Sequence, residues 1–155
     1  LGDAANPGRC RCTPDQVARY RAKLSGPLLD RIDMHIEVPR VPQEVLSAPR
    51  SASERSSDQI RAQIASVHQT QIERQGVLNS KLSVGQIDEV CMLDKDAQQL
   101  VDRAIKQLGL SARAYHRILK LSRSIADLEH AKSIQQTHLA QAIQLRSLDR
   151  QQHFQ

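Results

Sequence analysis

The apolar positions of this chain change period partway along it. Near the start, Val17, Tyr20 and Leu24 recur three and four residues apart behind Thr13-Pro14, a pair suited to an N-cap and a first helical position. They predict a short helix that ends at Ser25-Gly26-Pro27. Met34, Ile36 and Val38 then alternate with His35 and Glu37, which predicts a strand stopped by Pro39. One strand has no ladder partner of its own, so it points to strands outside this chain. From Ser47 to Ser57 the chain is rich in Ser, Ala, Pro and Arg and reads as a linker.

Beyond the linker the spacing turns helical. Ile60, Ile64 and Val67 follow i, i+4, i+7, and Gly76 is the expected stop. A short helix is expected near Val84 to Cys91. Asp94 caps the next, with Ala97, Val101, Ala104 and Leu108 on one face and Gly109 closing it. Ser111 caps another that runs to about Glu129, and Thr137 caps the last, with Leu139 and Ile143 inward. The expected fold is mainly α, a small helical bundle preceded by a Pro-rich, partly unstructured arm with one strand. The domain reading is an arm over 1–46, a linker over 47–57, a bundle over 58–150 and a tail over 151–155.

Proline supports that division, because none follows Pro49 and proline breaks helix interiors. Three aromatic residues, Tyr20, Tyr115 and Phe154, are too few for a β-sandwich or for a surface that stacks bases. No apolar run approaches the 18 or so residues of a membrane-spanning helix. The net charge of +5 permits nucleic-acid contact without establishing it. Cys10, Cys12 and Cys91 are an odd set that closes no disulfide framework, so the reducing cytoplasm is the expected compartment. The chain begins at Leu1, not Met, and reads as a piece of a longer protein.

The helix from Ser111 carries the most chemistry. Ala114, Tyr115, Ile118, Leu119, Leu121, Ile125 and Leu128 cover one side; Arg113, His116, Arg117, Lys120 and Arg123 cover the other. No acidic residue occurs from Arg103 to Ser124. The plain expectation is a solvated face. However, Arg113 falls in the first turn, where the helix dipole disfavours a cation, and a bound anion would account for it. The second segment is Leu24-Ser25-Gly26-Pro27-Leu28-Leu29-Asp30-Arg31-Ile32-Asp33. Its plain reading is a surface pair of Arg31 with Asp30 or Asp33, worth about 0–1 kcal/mol.

Together these segments resemble a known family. Cys10-Arg11-Cys12-Thr13-Pro14, Arg19-Tyr20 and Ser25-Gly26-Pro27-Leu28-Leu29-Asp30-Arg31-Ile32-Asp33 are similar to the magnesium chelatase-like AAA+ ATPases, the competence protein ComM family among them. Ser111-Ala112-Arg113-Ala114-Tyr115-His116-Arg117-Ile118-Leu119-Lys120, then Ile125-Ala126-Asp127-Leu128 and His138-Leu139-Ala140-Gln141-Ala142-Ile143, resemble the family's C-terminal domain. The resemblance implies a lid-type helical domain of an ATP-driven ring, a hexamer, acting on branched or single-stranded DNA in natural transformation and recombination. It implies that Arg31 is an arginine finger acting in trans on a neighbour's γ-phosphate, and that Arg113 is the sensor-2 arginine of the lid. Arg117, Lys120 and Arg123 are weaker candidates for DNA or subunit contact. ATP and Mg²⁺ would serve the full-length protein. Cys10 and Cys12 match half of a four-thiolate Zn²⁺ site whose other pair lies upstream.

The chain departs from the family by what it lacks. It has no Gly-x-x-x-x-Gly-Lys-Ser/Thr run and no apolar strand ending in acidic residues. The isolated chain is expected to be a monomer that neither hydrolyses ATP nor binds it tightly. The six histidines show no paired ligand spacing and are expected to be structural or exposed. The alternatives are a magnesium-chelatase motor subunit and a stand-alone basic helical DNA-binding module. Binding of branched DNA by the full-length protein separates the first, and salt-sensitive DNA binding by residues 50–155 alone marks the second.

Overall fold

The computed structural model describes residues 12–36, 38–47 and 54–146. Among them every regular element is helical and no strand forms. The arm begins with α1 (Pro14–Arg21), capped as its sequence predicts. Thr13 Oγ1 accepts the Gln16 amide at 3.3 Å, and the Gln16 side chain accepts the Thr13 amide at 3.0 Å. Two donors that the first helical turn leaves unpaired are thereby satisfied. α1 ends at Arg21, short of Leu24 and of the stop expected at Ser25-Gly26-Pro27, and Gly26-Pro27 instead opens a second helix. α2 (Gly26–Leu29) is one turn long, and α3 (Gln43–Ser47) is little longer.

The bundle comprises α4 (Ser57–Gln75), a 3₁₀ turn η1 (Asn79–Lys81), α5 (Val84–Val90), α6 (Lys95–Leu108), α7 (Ala112–Leu128) and α8 (Gln136–Gln144). Ser56, Ser83, Asp94 and Ser111 cap α4 to α7, each in extended backbone, each accepting an amide three residues on. Gly76 (φ 77°) and Gly109 (φ 56°) close α4 and α6 in the left-handed region, which a Cβ makes costly.

Thr137 is not the cap of α8; it lies inside the first turn. Gln135 holds the cap position, and its amide donates to His138 Nδ1 at 2.9 Å. Accepting there leaves the imidazole proton on Nε2, which faces Glu129 Oε2 at 3.1 Å. A buried histidine thus does the work that the sequence pattern assigns to a threonine.

α7 is the central helix and packs chiefly on α8, with α4, η1 and α5 on other sides. Ala114, Ile118, Leu119, Ile125 and Ala126 of α7 are buried, as are Ala97, Val101 and Ala104 of α6 and Leu139, Ala142 and Ile143 of α8. Small alanines between larger residues let these helices approach closely. Each fully buried Ile or Leu contributes about 1.5–3 kcal/mol. Of the α4 stripe only Val67 is buried; Ile60 and Ile64 are exposed.

The predicted strand does not form. Met34, Ile36 and Val38 lie in irregular backbone with exposed side chains. Alternation decides which face of a ribbon a residue takes, but a ladder needs a second strand to pair its amides and carbonyls. The His35 amide instead donates to the Leu145 carbonyl at 2.6 Å, just past α8.

Candidate functional site

The arm and the bundle meet at the N-terminal end of α7. Ser111 Oγ accepts the Ala114 amide at 3.2 Å and donates to Asp30 Oδ2 at 2.8 Å. A carboxylate at this end of a helix is favoured by the dipole. One turn further on, Arg117 forms an ion pair with Asp33. Beneath the arm, Leu29 is buried, and Arg146 donates to the carbonyls of Ile32 at 2.8 Å and Asp33 at 3.4 Å. Asp30 and Asp33, which the sequence offers as partners for Arg31, reach α7.

These contacts border a groove of about 540 Å³ lined by arm, α5, η1 and α7 residues, among them Met34, Ile87, Arg113, His116, Arg117 and Lys120. Arg113 is the second residue of α7 and is exposed at the groove. It makes no hydrogen bond or ion pair among the described residues. With no acidic residue in the first turn of α7, its charge and the helix dipole reinforce one another. Arg31 is exposed on the arm and does not line the groove. Arg31 and Arg113 nonetheless both fall within two residues of the Asp30–Ser111 bond.

The remaining basic residues of α7 have structural partners. Lys120 Nζ donates to the carbonyls of Leu82 at 2.6 Å and Ser80 at 3.4 Å, tying α7 to η1. His116 is half-buried, its ring tilted against Tyr115. Arg123 requires a correction: it is buried at 3% exposure and belongs to no solvent-facing basic surface. Its Nε donates to Asp127 Oδ1 at 3.0 Å, and its other nitrogens donate to the carbonyls of Ala131 and Lys132. It holds the turn that follows α7.

Asp127 anchors a larger buried network that the apolar pattern could not reveal. Arg74 of α4 approaches it with two nitrogens, at 2.6 and 2.9 Å, and Asn79 Nδ2 donates at 2.8 Å. Burial alone pushes the Asp127 carboxyl up, but the bonds from Arg74 and Asn79 and the charges of Arg123 and Arg74 outweigh it and hold the group below the usual aspartate range. For Cys91 the nearby charges of Arg123 and Arg74 do not offset desolvation, and burial pushes its thiol up to about 11. A thiol that resists ionisation is a core residue and a poor metal ligand.

Cys10 lies outside the described residues, and Cys12 is half-buried ahead of α1. Among the described residues no three His, Cys, Asp or Glu side chains gather as a metal site. The sequence positions of Cys10 and Cys12 supply two thiolates where a closed zinc site needs four ligands, so the donor set of this chain does not fit zinc by itself. Among the described residues no helix is long and apolar enough to cross a membrane.

Comparison with known proteins identifies the class. Residues 54–146 match the family described as magnesium chelatase, subunit ChlI C-terminal, and residues 2–46 match magnesium chelatase, subunit ChlI. The chain belongs to the magnesium chelatase ChlI family. Among individual relatives, it is 47% identical over 141 residues to competence protein ComM of Haemophilus influenzae, covering 90% of this chain and 27% of that protein. It is 41% identical over 140 residues to the uncharacterized protein YifB of Salmonella typhimurium and 37% identical over 140 residues to that of Escherichia coli, in each case covering 90% of this chain and 28% of the relative. The chain therefore spans about a quarter of the length of these relatives.

Proposed function

We propose that this chain is the arginine-finger segment and helical lid of an ATP-driven motor, a ring that acts on branched or single-stranded DNA during transformation and recombination in the cytoplasm. In this reading Arg31 reaches the γ-phosphate held by the neighbouring subunit. Its permanent charge and rigid fork of donors suit the charge that spreads over a transferring phosphoryl group. Arg113 senses the nucleotide from the lid. ATP and Mg²⁺ are bound by the P-loop part of the ring, since this chain has no such run.

The observation that carries the reading is the setting of Arg113: a guanidinium in the first turn of α7, exposed at a groove, with no ion-pair partner among the described residues. Such a site attracts an anion. The name of the Haemophilus relative, a competence protein, supports DNA as the substrate. The name of the matching family supports a second reading, a chelatase motor that drives metal insertion into a porphyrin.

The test is steady-state ATP hydrolysis by the full-length protein carrying Arg31→Ala, with nucleotide binding measured alongside. Turnover is expected to fall by about 10³–10⁵ with binding kept. Unchanged turnover makes Arg31 an ordinary surface residue and removes the reading. Stimulation of turnover by branched DNA separates the DNA motor from the chelatase motor.

A further inference from the structure

Arg31 itself is exposed, yet the residues around it are tied down. Leu29 is buried, and Asp30 accepts from Ser111 at 2.8 Å. On the other side the Ile32 carbonyl accepts from Arg146 at 2.8 Å, Asp33 pairs with Arg117, and the His35 amide donates to Leu145. A residue pinned through both neighbours has little freedom left in its own backbone. Two of these ties run to α7, at Ser111 and Arg117, and Arg113 lies between them. Arg117 stands one turn beyond Arg113, on the same face of the helix.

We propose that Asp33 and Arg117 are positioning residues: their ion pair, acting with the Asp30–Ser111 bond, clamps the segment carrying Arg31 to the first two turns of α7, so that finger and lid move as one body. The inference rests on the reading of Arg31 as a trans-acting finger. The pair is partly exposed, with side-chain exposures of 27% for Arg117 and 60% for Asp33. A pair of that kind adds little to global stability, so its purpose is geometric. Displacing a catalytic group by about 1 Å costs on the order of 10²-fold in rate, and that is the effect a lost clamp should have.

The test is steady-state ATP hydrolysis by the full-length protein carrying Asp33→Ala, Arg117→Ala, or the exchanged pair Asp33→Arg with Arg117→Asp. Asp33 is exposed and outside any helix, so its truncation leaves the bundle able to fold. Each single variant is expected to lower kcat by about 10–10²-fold with the KM for ATP little changed, and the exchanged pair to recover most of the loss. In this 155-residue chain, Asp33→Ala should also speed hydrogen exchange at the His35 amide, which reports release of the segment. Normal kcat in Asp33→Ala, beside an inactive Arg31→Ala, overturns the clamp and leaves the finger standing. Single losses that the exchanged pair does not recover overturn it too. Normal turnover in both Arg31→Ala and Asp33→Ala removes the finger, and the clamp with it.

Discussion

Ile36 and Ile118 are the same side chain with opposite fates. Ile36, on the arm, is 65% exposed; Ile118, on α7, is fully buried. Both lie in regular patterns, an alternation in one case and a helical face in the other. The difference is the supply of partners. A helix satisfies its own backbone and needs only another apolar face, which this chain provides several times over. An extended segment needs a neighbouring strand for its backbone before it can bury anything. The arm is therefore held chiefly by polar side chains and a few carbonyls, with Leu29 buried beneath it, and the bundle by apolar packing together with the buried network around Asp127.

That contrast can be broken at its strongest point first. Arg123→Ala leaves Asp127 buried with one guanidinium fewer and frees two carbonyls after α7. It should cost the chain about 3–5 kcal/mol, read from urea unfolding. Ile118→Ala removes a fully buried side chain and should cost about 2–5 kcal/mol, whereas Ile36→Ala should stay within about 0.5 kcal/mol. Equal losses for the two isoleucines would show that the arm is packed in solution and would end the comparison.

Acid provides a finer probe. The Asp127 carboxyl is held below its ordinary range when folded, so its contribution is complete above the unfolded value of about 3.9 and fades as pH falls through the lower folded value. Asp127→Asn should cost about 1–3 kcal/mol at neutral pH, and the gap to the unmodified chain should close below about pH 4. Urea midpoints measured from pH 7 down to pH 3 would detect this; a gap that stays constant would place the stabilisation elsewhere. Gly76→Ala is the smallest change. No atom lies within 4 Å of the added Cβ, so the expense of about 1–2 kcal/mol is the left-handed backbone alone, and thermal unfolding should show it.

Much of the bundle was legible because helix ends are local chemistry. Asp94 and Ser111 cap where their sequence context places them, and Gly76 and Gly109 stop helices by tolerating a positive φ. Thr137 misleads because the imidazole of His138, three residues beyond Gln135, takes the backbone amide at the cap, a role the hydroxyl pattern does not anticipate. Arg123 misleads for a related reason. Helical spacing puts it among basic residues, but charge by itself does not distinguish a guanidinium in water from one whose donors are taken by Asp127, Ala131 and Lys132.

The candidate site divides in the same way. The sequence singled out Arg31 and Arg113 as separate features about 80 residues apart, one by its motif and one by its place in a first helical turn. Nothing in either segment says that Asp30 turns to Ser111 or that Asp33 turns to Arg117. Helix ends, apolar faces and the chemical nature of the two arginines are set by nearest neighbours along the chain, so sequence alone determined them. Which charges are buried, which are paired across the chain and which are left facing a groove depends on distances between segments far apart in sequence, and only the packed bundle decided those.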